Sequence, residues 1–183
     1  MPLIGVCRLT TKLRMIVSGG GTGGHFFPAQ AIRKALQKKG VEVKYIGSQY
    51  GIESSKYSMD SNDEMLLNIR GIQRHKSIDS MIDNIMFPVR FIKSYIQSWI
   101  LLRDFKPHVV IGTGGYSSGL PLLAAIHRGI KTVIQEQNSF PGITTRYLAS
   151  RVDQVCIAYE EARDHLKKKV QFSPEIPFVR IFN

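Results

Sequence analysis

The stretch Val17-Ser18-Gly19-Gly20-Gly21-Thr22-Gly23-Gly24-His25-Phe26-Phe27-Pro28 decides the fold. Ahead of it stands a short apolar run, Met15-Ile16-Val17, which reads as a buried strand. Behind it, from Pro28 to Lys39, runs a helical pattern rich in Ala, Leu, Lys and Gln. Five glycines and a threonine therefore lie between a strand and a helix. A turn there gathers backbone N–H groups and the positive end of the helix dipole around one point. Glycine is needed where the backbone takes positive φ or lies against a ligand. The guest that suits such a point is an anion, most often a phosphate or diphosphate.

Gly19, Gly21 and Gly24 satisfy G-x-G-x-x-G. A dinucleotide site also needs an acidic residue about 20 positions on, at the end of the next strand. The next strand, Val41 to Ile46, ends in Gly47-Ser48-Gln49, and Glu42 lies at its wrong end. That speaks against a nucleotide-dependent oxidoreductase. A Walker loop is excluded, because His25 follows the last glycine where a lysine is required.

Strand and helix alternate along the rest of the chain. A helical stretch near Ile52–Tyr57 follows the second strand, and Met65–Ile69 reads as the third. A long helical region spans Asp79 to Asp104, with Pro107 closing it and Val109–Ile111 as the fourth strand. Helix Leu120–Arg128, strand Thr132–Ile134, a helix from Pro141, strand Gln154–Ala158 and helical Glu160–Lys168 complete the pattern. This alternation implies an α/β fold, a Rossmann-like parallel sheet with helices on both faces. Ligands of such sheets bind beyond the carboxyl ends of the strands. A second glycine loop, Gly112-Thr113-Gly114-Gly115-Tyr116, follows strand four, and Gln135-Glu136-Gln137-Asn138 follows strand five. Two phosphate-type loops facing each other suit a diphosphate better than a monophosphate.

The chain has 183 residues, enough for one domain, and a formal charge of +11 that points to an anionic partner. Cys7 and Cys156 lie far apart without metal-ligand spacing, which fits a reducing compartment rather than a disulfide scaffold or zinc site. Residues 1–13 read as an extension ahead of the first strand, too short and polar for a secretory signal, with Met15 as an alternative start. No run of about 18 uncharged apolar residues occurs, so no spanning helix is expected.

The region from Asp79 to Asp104 is apolar on more than one face, and Pro88 is expected to kink or divide it. Between Arg70 and Lys106 seven Lys/Arg stand against three Asp, a balance of +4. Apolar bulk beside basic residues predicts a membrane-surface patch of Arg74, Lys76, Met86, Phe87, Arg90 and Phe91.

Together, Gly19-Gly20-Gly21-Thr22-Gly23-Gly24-His25 with Pro28, then Gly112-Thr113-Gly114-Gly115-Tyr116, then Glu136-Gln137-Asn138 with Pro141-Gly142, resemble the MurG family of glycosyltransferases. The resemblance runs from about Arg14 to Arg180. It implies one half of a GT-B enzyme: an N-terminal acceptor-binding domain over residues 14–172 and the start of an interdomain linker over 173–183. The resemblance implies a donor-binding C-terminal domain as partner, expected to be missing from this chain. The reaction implied is transfer of N-acetylglucosamine from UDP-N-acetylglucosamine to undecaprenyl-diphospho-N-acetylmuramoyl-pentapeptide. The resemblance assigns Thr22, Gly23, Gly24, Asn138 and Arg180 to the donor, although the run before Arg180, Ser173-Pro174-Glu175-Ile176-Pro177, departs from the family pattern. It assigns Gly20, Gly21, Gly114, Gly115, Tyr116 and Glu136 to the acceptor and its diphosphate.

An inverting displacement requires the acceptor hydroxyl to lose a proton, and His25 is the expected general base. No tightly bound cofactor or metal is implied, no Asp-x-Asp motif occurs, and no nucleic acid is expected as a partner. The implied place is the cytoplasmic face of a bacterial inner membrane, held peripherally. Two readings stay open: the acceptor half of a transferase that is inactive alone, or a non-catalytic lipid-diphosphate-binding subunit of a split one.

Overall fold

A computed structural model describes residues 12–55, 63–71, 83–166 and 171–172. The strands are β1 (Arg14–Ser18), β2 (Glu42–Ser48), β3 (Glu64–Leu67), β4 (Val109–Gly112), β5 (Lys131–Glu136), β6 (Gln154–Ile157) and β7 (Gln171–Phe172). They form one sheet in the order β3-β2-β1-β4-β5-β6-β7. Every neighbouring pair is parallel. The helices are α1 (Gly23–Lys38), α2 (Phe87–Phe105), α3 (Tyr116–His127) and α4 (Ile143–Leu148), with 3-10 turns at Ile52–Ser55 and Glu160–His165.

Alternation along each strand sends side chains to opposite faces. Met15 and Val17 of β1 join Val43 and Tyr45 of β2 and Phe26, Ala29, Ile32 and Leu36 of α1 in one buried cluster. Ile16 and Ile46, one step along, join Leu102 and Phe105 of α2, Leu120 and Leu122 of α3 and Leu148 of α4 in the other. Helices thus cover both faces, as the alternation of elements requires.

One expectation is corrected here. Helix α1 begins at Gly23, five residues before Pro28, so Gly23, Gly24 and His25 form its first turn rather than the loop. The helical region is divided next to Pro88, as expected: residues 83–85 are helical, Met86 is a turn, and α2 starts afresh at Phe87 with Pro88 in its first turn, where its missing N–H costs nothing. The residues before 83 in that region, like residues 1–11 of the 1–13 extension and the 173–183 segment, lie outside the described residues.

The connections reverse direction between β1 and β4, which are neighbours in the sheet. Such a reversal leaves a crevice outside the carboxyl ends of the two strands. The register pairs Ser18 with Gly112, so both glycine loops leave the sheet side by side.

Candidate functional site

The two loops are stitched together by Thr113 and His25. Thr113 N donates to Ser18 O at 2.9 Å, and the Thr113 hydroxyl donates to His25 O at 2.7 Å. The His25 ring returns the tie, its Nδ1 lying 3.0 Å from Thr113 O. A carbonyl only accepts, so Nδ1 carries the proton. Nδ1 also lies 2.7 Å from the side-chain amide of Gln137. Gln137 Oε1 is otherwise buried without a partner, and a half-turn of the amide brings it to the Nδ1–H as a second acceptor. The tautomer so fixed leaves Nε2 as the basic nitrogen.

Backbone approach is close where the loops meet. Gly115 has φ +79°, and a Cβ there would stand 2.6 Å from Gly20 O. No residue with a side chain fits that point. Gly115 caps α3, and the amides of Tyr116 and Ser117 behind it are among the four that a helix leaves without internal partners.

Beneath the first loop lies Glu53, fully buried. Its Oε1 accepts from Gly21 N at 2.8 Å and Ser48 N at 2.7 Å. The Tyr45 hydroxyl donates to Gly19 O. Glu136, also buried, holds the loop after β5. Its Oε1 accepts from Asn138 N at 3.1 Å and Asn138 Nδ2 at 2.8 Å, and its Oε2 from Gly142 N at 3.1 Å.

An open cleft of about 550 Å³ follows this arrangement. Gly20, Gly21, Thr22 and His25 line one side, Gly114, Gly115 and Tyr116 the other, with Arg70 and Tyr50 at a further wall. A narrower apolar groove of about 240 Å³ continues from it between Phe87, Phe91, Leu120, Leu123 and Tyr147. Ile69, Tyr116, Ile143 and Thr144 border both.

The structure thus brings Gly20, Gly21, Thr22, His25, Gly114, Gly115 and Tyr116 to one cleft. Gly23 and Gly24 stand beside it in the first turn of α1, Asn138 is exposed on the neighbouring loop, and Glu136 sits beneath that loop rather than in the lining. Arg180, Arg74 and Lys76 lie outside the described residues. Met86 is exposed, but Phe87 and Phe91 are half-buried against the core. Arg90 is turned inward to Asp83 at 2.9 Å.

The outward face of α2 carries Val89, Ile92, Ile96 and Ile100 instead, with Ile85 exposed just ahead of the helix; Ile85 is 73% and Ile92 59% exposed. Glu53, Gln137 and Arg70 are site residues that sequence reasoning missed. Their nearest signal is position: each follows a strand at the carboxyl edge. Among the described residues no group of three or more His, Cys, Asp or Glu could hold a metal ion, and no helix is long and apolar enough to cross a membrane. Cys156 is buried, and burial pushes its thiol up to about 11, which leaves it no role as a nucleophile.

Residues 15–157 match the glycosyltransferase family 28 N-terminal domain. The chain belongs to that family. It is 40% identical over 164 residues to the UDP-N-acetylglucosamine--N-acetylmuramyl-(pentapeptide) pyrophosphoryl-undecaprenol N-acetylglucosamine transferase of Bacillus subtilis, covering 88% of this chain and 44% of that protein. The protein of the same description from Flavobacterium psychrophilum is 40% identical over 159 residues, covering 86% and 42%. This chain therefore spans less than half the length of these curated relatives. Among solved structures it is similar to Acinetobacter baumannii MurG, with a TM-score of 0.69, 26% identity and coverage of 88% of this chain and 45% of that one. The UDP-GlcNAc 2-epimerase of Neisseria meningitidis, at a TM-score of 0.59 and 16% identity over 87% of this chain and 45% of that one, shares the fold alone.

Proposed function

We propose that this chain is the acceptor-binding half of an inverting hexosyltransferase of peptidoglycan synthesis. It would serve transfer of N-acetylglucosamine from UDP-N-acetylglucosamine to undecaprenyl-diphospho-N-acetylmuramoyl-pentapeptide. The names of the relatives support the substrates, and the observation that carries the reading is the setting of His25. A ring fixed through Nδ1 to Thr113 O lines a cleft between two glycine loops.

The acceptor hydroxyl attacks the anomeric carbon from the face opposite UDP. The bond from that carbon to the diphosphate oxygen breaks, and its electron pair leaves with UDP. The hydroxyl proton passes to His25 Nε2. The acceptor's diphosphate meets the amides at the two helix starts, which need an acceptor and favour negative charge. Gly24 supports a donor at the outer side of the first loop. A Cβ there would meet nothing nearer than Thr22 Oγ1 at 3.9 Å, so the fold itself has no need of glycine at that position of a helix.

Joined to the C-terminal half of the Bacillus subtilis relative, the chain is expected to catalyse transfer. His25→Ala should lower kcat by about 10²–10⁴-fold, the usual worth of a general base. A variant near wild type removes His25 from that role.

The acceptor's polyprenyl chain stays in the bilayer, so the domain must come to it. Val89, Ile92, Ile96 and Ile100, spaced to share one face of α2, with Ile85 exposed just ahead of it, form the surface that meets the lipid. The place is the cytoplasmic side of a bacterial membrane, held peripherally. Vesicles rich in phosphatidylglycerol should sediment the protein, more at low salt than at high salt. Val89→Ser with Ile92→Ser should abolish most of what survives at high salt. A wild-type protein that stays in the supernatant at low salt defeats the assignment.

A further inference from the structure

We infer that Arg70 is the cation that meets the anionic group in the cleft, an inference that rests on reading the cleft as a diphosphate site. Among the described residues lining the cleft it is the only lysine or arginine. The glycine loops offer amide donors without net charge, so full charge must come from another wall.

The backbone around Arg70 is fixed on both sides. Ile69 O accepts from the Ser48 hydroxyl at 2.8 Å. Gly71 lies flat on Tyr116, where a Cβ would come within 2.7 Å of the ring. The side chain is held as well. Its Nη1 lies 2.9 Å from Asp83 Oδ2, while Arg90 Nη1 lies 2.9 Å from Asp83 Oδ1. The guanidinium carbons of Arg70 and Arg90 stand 5.3 and 5.8 Å from the centre of the Tyr50 ring, within reach of cation–π attraction. Tyr50 is anchored in turn, its hydroxyl donating to Asn68 Oδ1 at 2.7 Å and its amide to Ser48 Oγ at 3.1 Å.

Two guanidiniums share one carboxylate, so Asp83 orients Arg70 without cancelling the charge of the group. Asp83 occupies Nη1 and leaves the other donors of the fork. With 36% of its side chain exposed, Arg70 is reachable from the cleft. An arginine fork held in place before binding loses little freedom when an acidic oxygen arrives. Phosphate oxygens in pairs are the chemistry such a fork recognises best.

Titration calorimetry with inorganic diphosphate tests this, with sulfate at equal ionic strength as reference. The wild-type chain should bind diphosphate more tightly than sulfate. Arg70→Gln should weaken diphosphate binding about tenfold or more, the worth of a charge-assisted hydrogen bond. Arg70→Lys, which keeps the charge and loses the fork, should fall between. Lys34→Gln, an equal charge change at an exposed site on α1, should bind like wild type. Thermal melts of each variant establish that it is folded. Wild-type binding that Arg70→Gln leaves within twofold, or that Lys34→Gln weakens equally, overturns the inference and leaves the cleft reading intact. A wild-type chain that prefers diphosphate no more than sulfate overturns the cleft reading itself.

Discussion

At the carboxyl edge of the sheet the loops hang on carboxyl groups taken out of water, and at the amino edge on one that stays half in it. Glu53 and Glu136 are both buried. Between them they accept from the backbone amides of Gly21, Ser48, Asn138 and Gly142. Asp153, just before β6, accepts from Thr132 N at 2.9 Å, the Thr132 hydroxyl at 3.0 Å and Lys131 Nζ at 2.9 Å, with 42% of its side chain exposed. The difference follows from what each edge borders. Loops around a cleft cannot be packed from the cleft side, so their shape must be set by directional bonds from beneath. Burying a carboxyl group is costly, and only several hydrogen bonds offset it. At the amino edge the Lys131–Asp153 pair lies at the surface, where water shares in the pairing.

Removing the buried carboxyls should therefore cost more than removing the exposed one. Glu53→Ala leaves the buried amide of Ser48 without an acceptor and opens a hole beneath the first loop. The expected loss is about 2–4 kcal/mol, read by urea unfolding. Glu53→Gln keeps an acceptor for both amides and should cost roughly 1 kcal/mol or less. Glu136→Ala should cost about 1–2 kcal/mol, because Asn138 is exposed and water can replace part of what it loses. Hydrogen exchange at Asn138 and Gly142 should quicken in that variant while β5 stays protected. A Glu53→Ala chain as stable as wild type would break the contrast.

The sheet was legible because Met15–Val17, Val109–Ile111 and Thr132–Ile134 are apolar runs bounded by loop residues, and glycine loops follow two of them. The pairing of those loops follows from parallel topology, since strand order sets which carboxyl ends are neighbours. Glu53 was not legible. A glutamate in Gly51-Ile52-Glu53-Ser54-Ser55 reads as solvated, and only the fold turns it under Gly20 and Gly21. The helix face was also hidden. Phe87 and Phe91 are bulkier than Val89 and Ile92, yet the phenylalanines pack inward against Tyr116 and the core. A helix that is apolar on two faces does not say which face has a partner. Arg90 misled for the same reason: a basic residue near an apolar stripe reads as a lipid contact, but Asp83 and Tyr50 draw it inward.

The smallest effect belongs to the amino edge, and its sign can be fixed. Asp153 has its pKa lowered from 3.8 to about 2, chiefly by the hydrogen bond from Lys131, with partial burial opposing and the Thr132 amide and hydroxyl adding to the lowering. A carboxyl group whose folded pKa lies below its unfolded one stabilises the fold above the unfolded value and stops doing so as pH falls through the folded one. The contribution is thus complete at neutral pH and is lost between about pH 4 and pH 2. Because the pair is half exposed, solvent screening holds it below about 1 kcal/mol. Asp153→Asn should lower stability by that amount at pH 7, with little difference from wild type near pH 2. Urea midpoints across this range would test it. A variant whose deficit stayed constant to pH 2 would show that the carboxylate's charge contributes nothing. A deficit as large as that of Glu53→Ala would remove the distinction between the two edges.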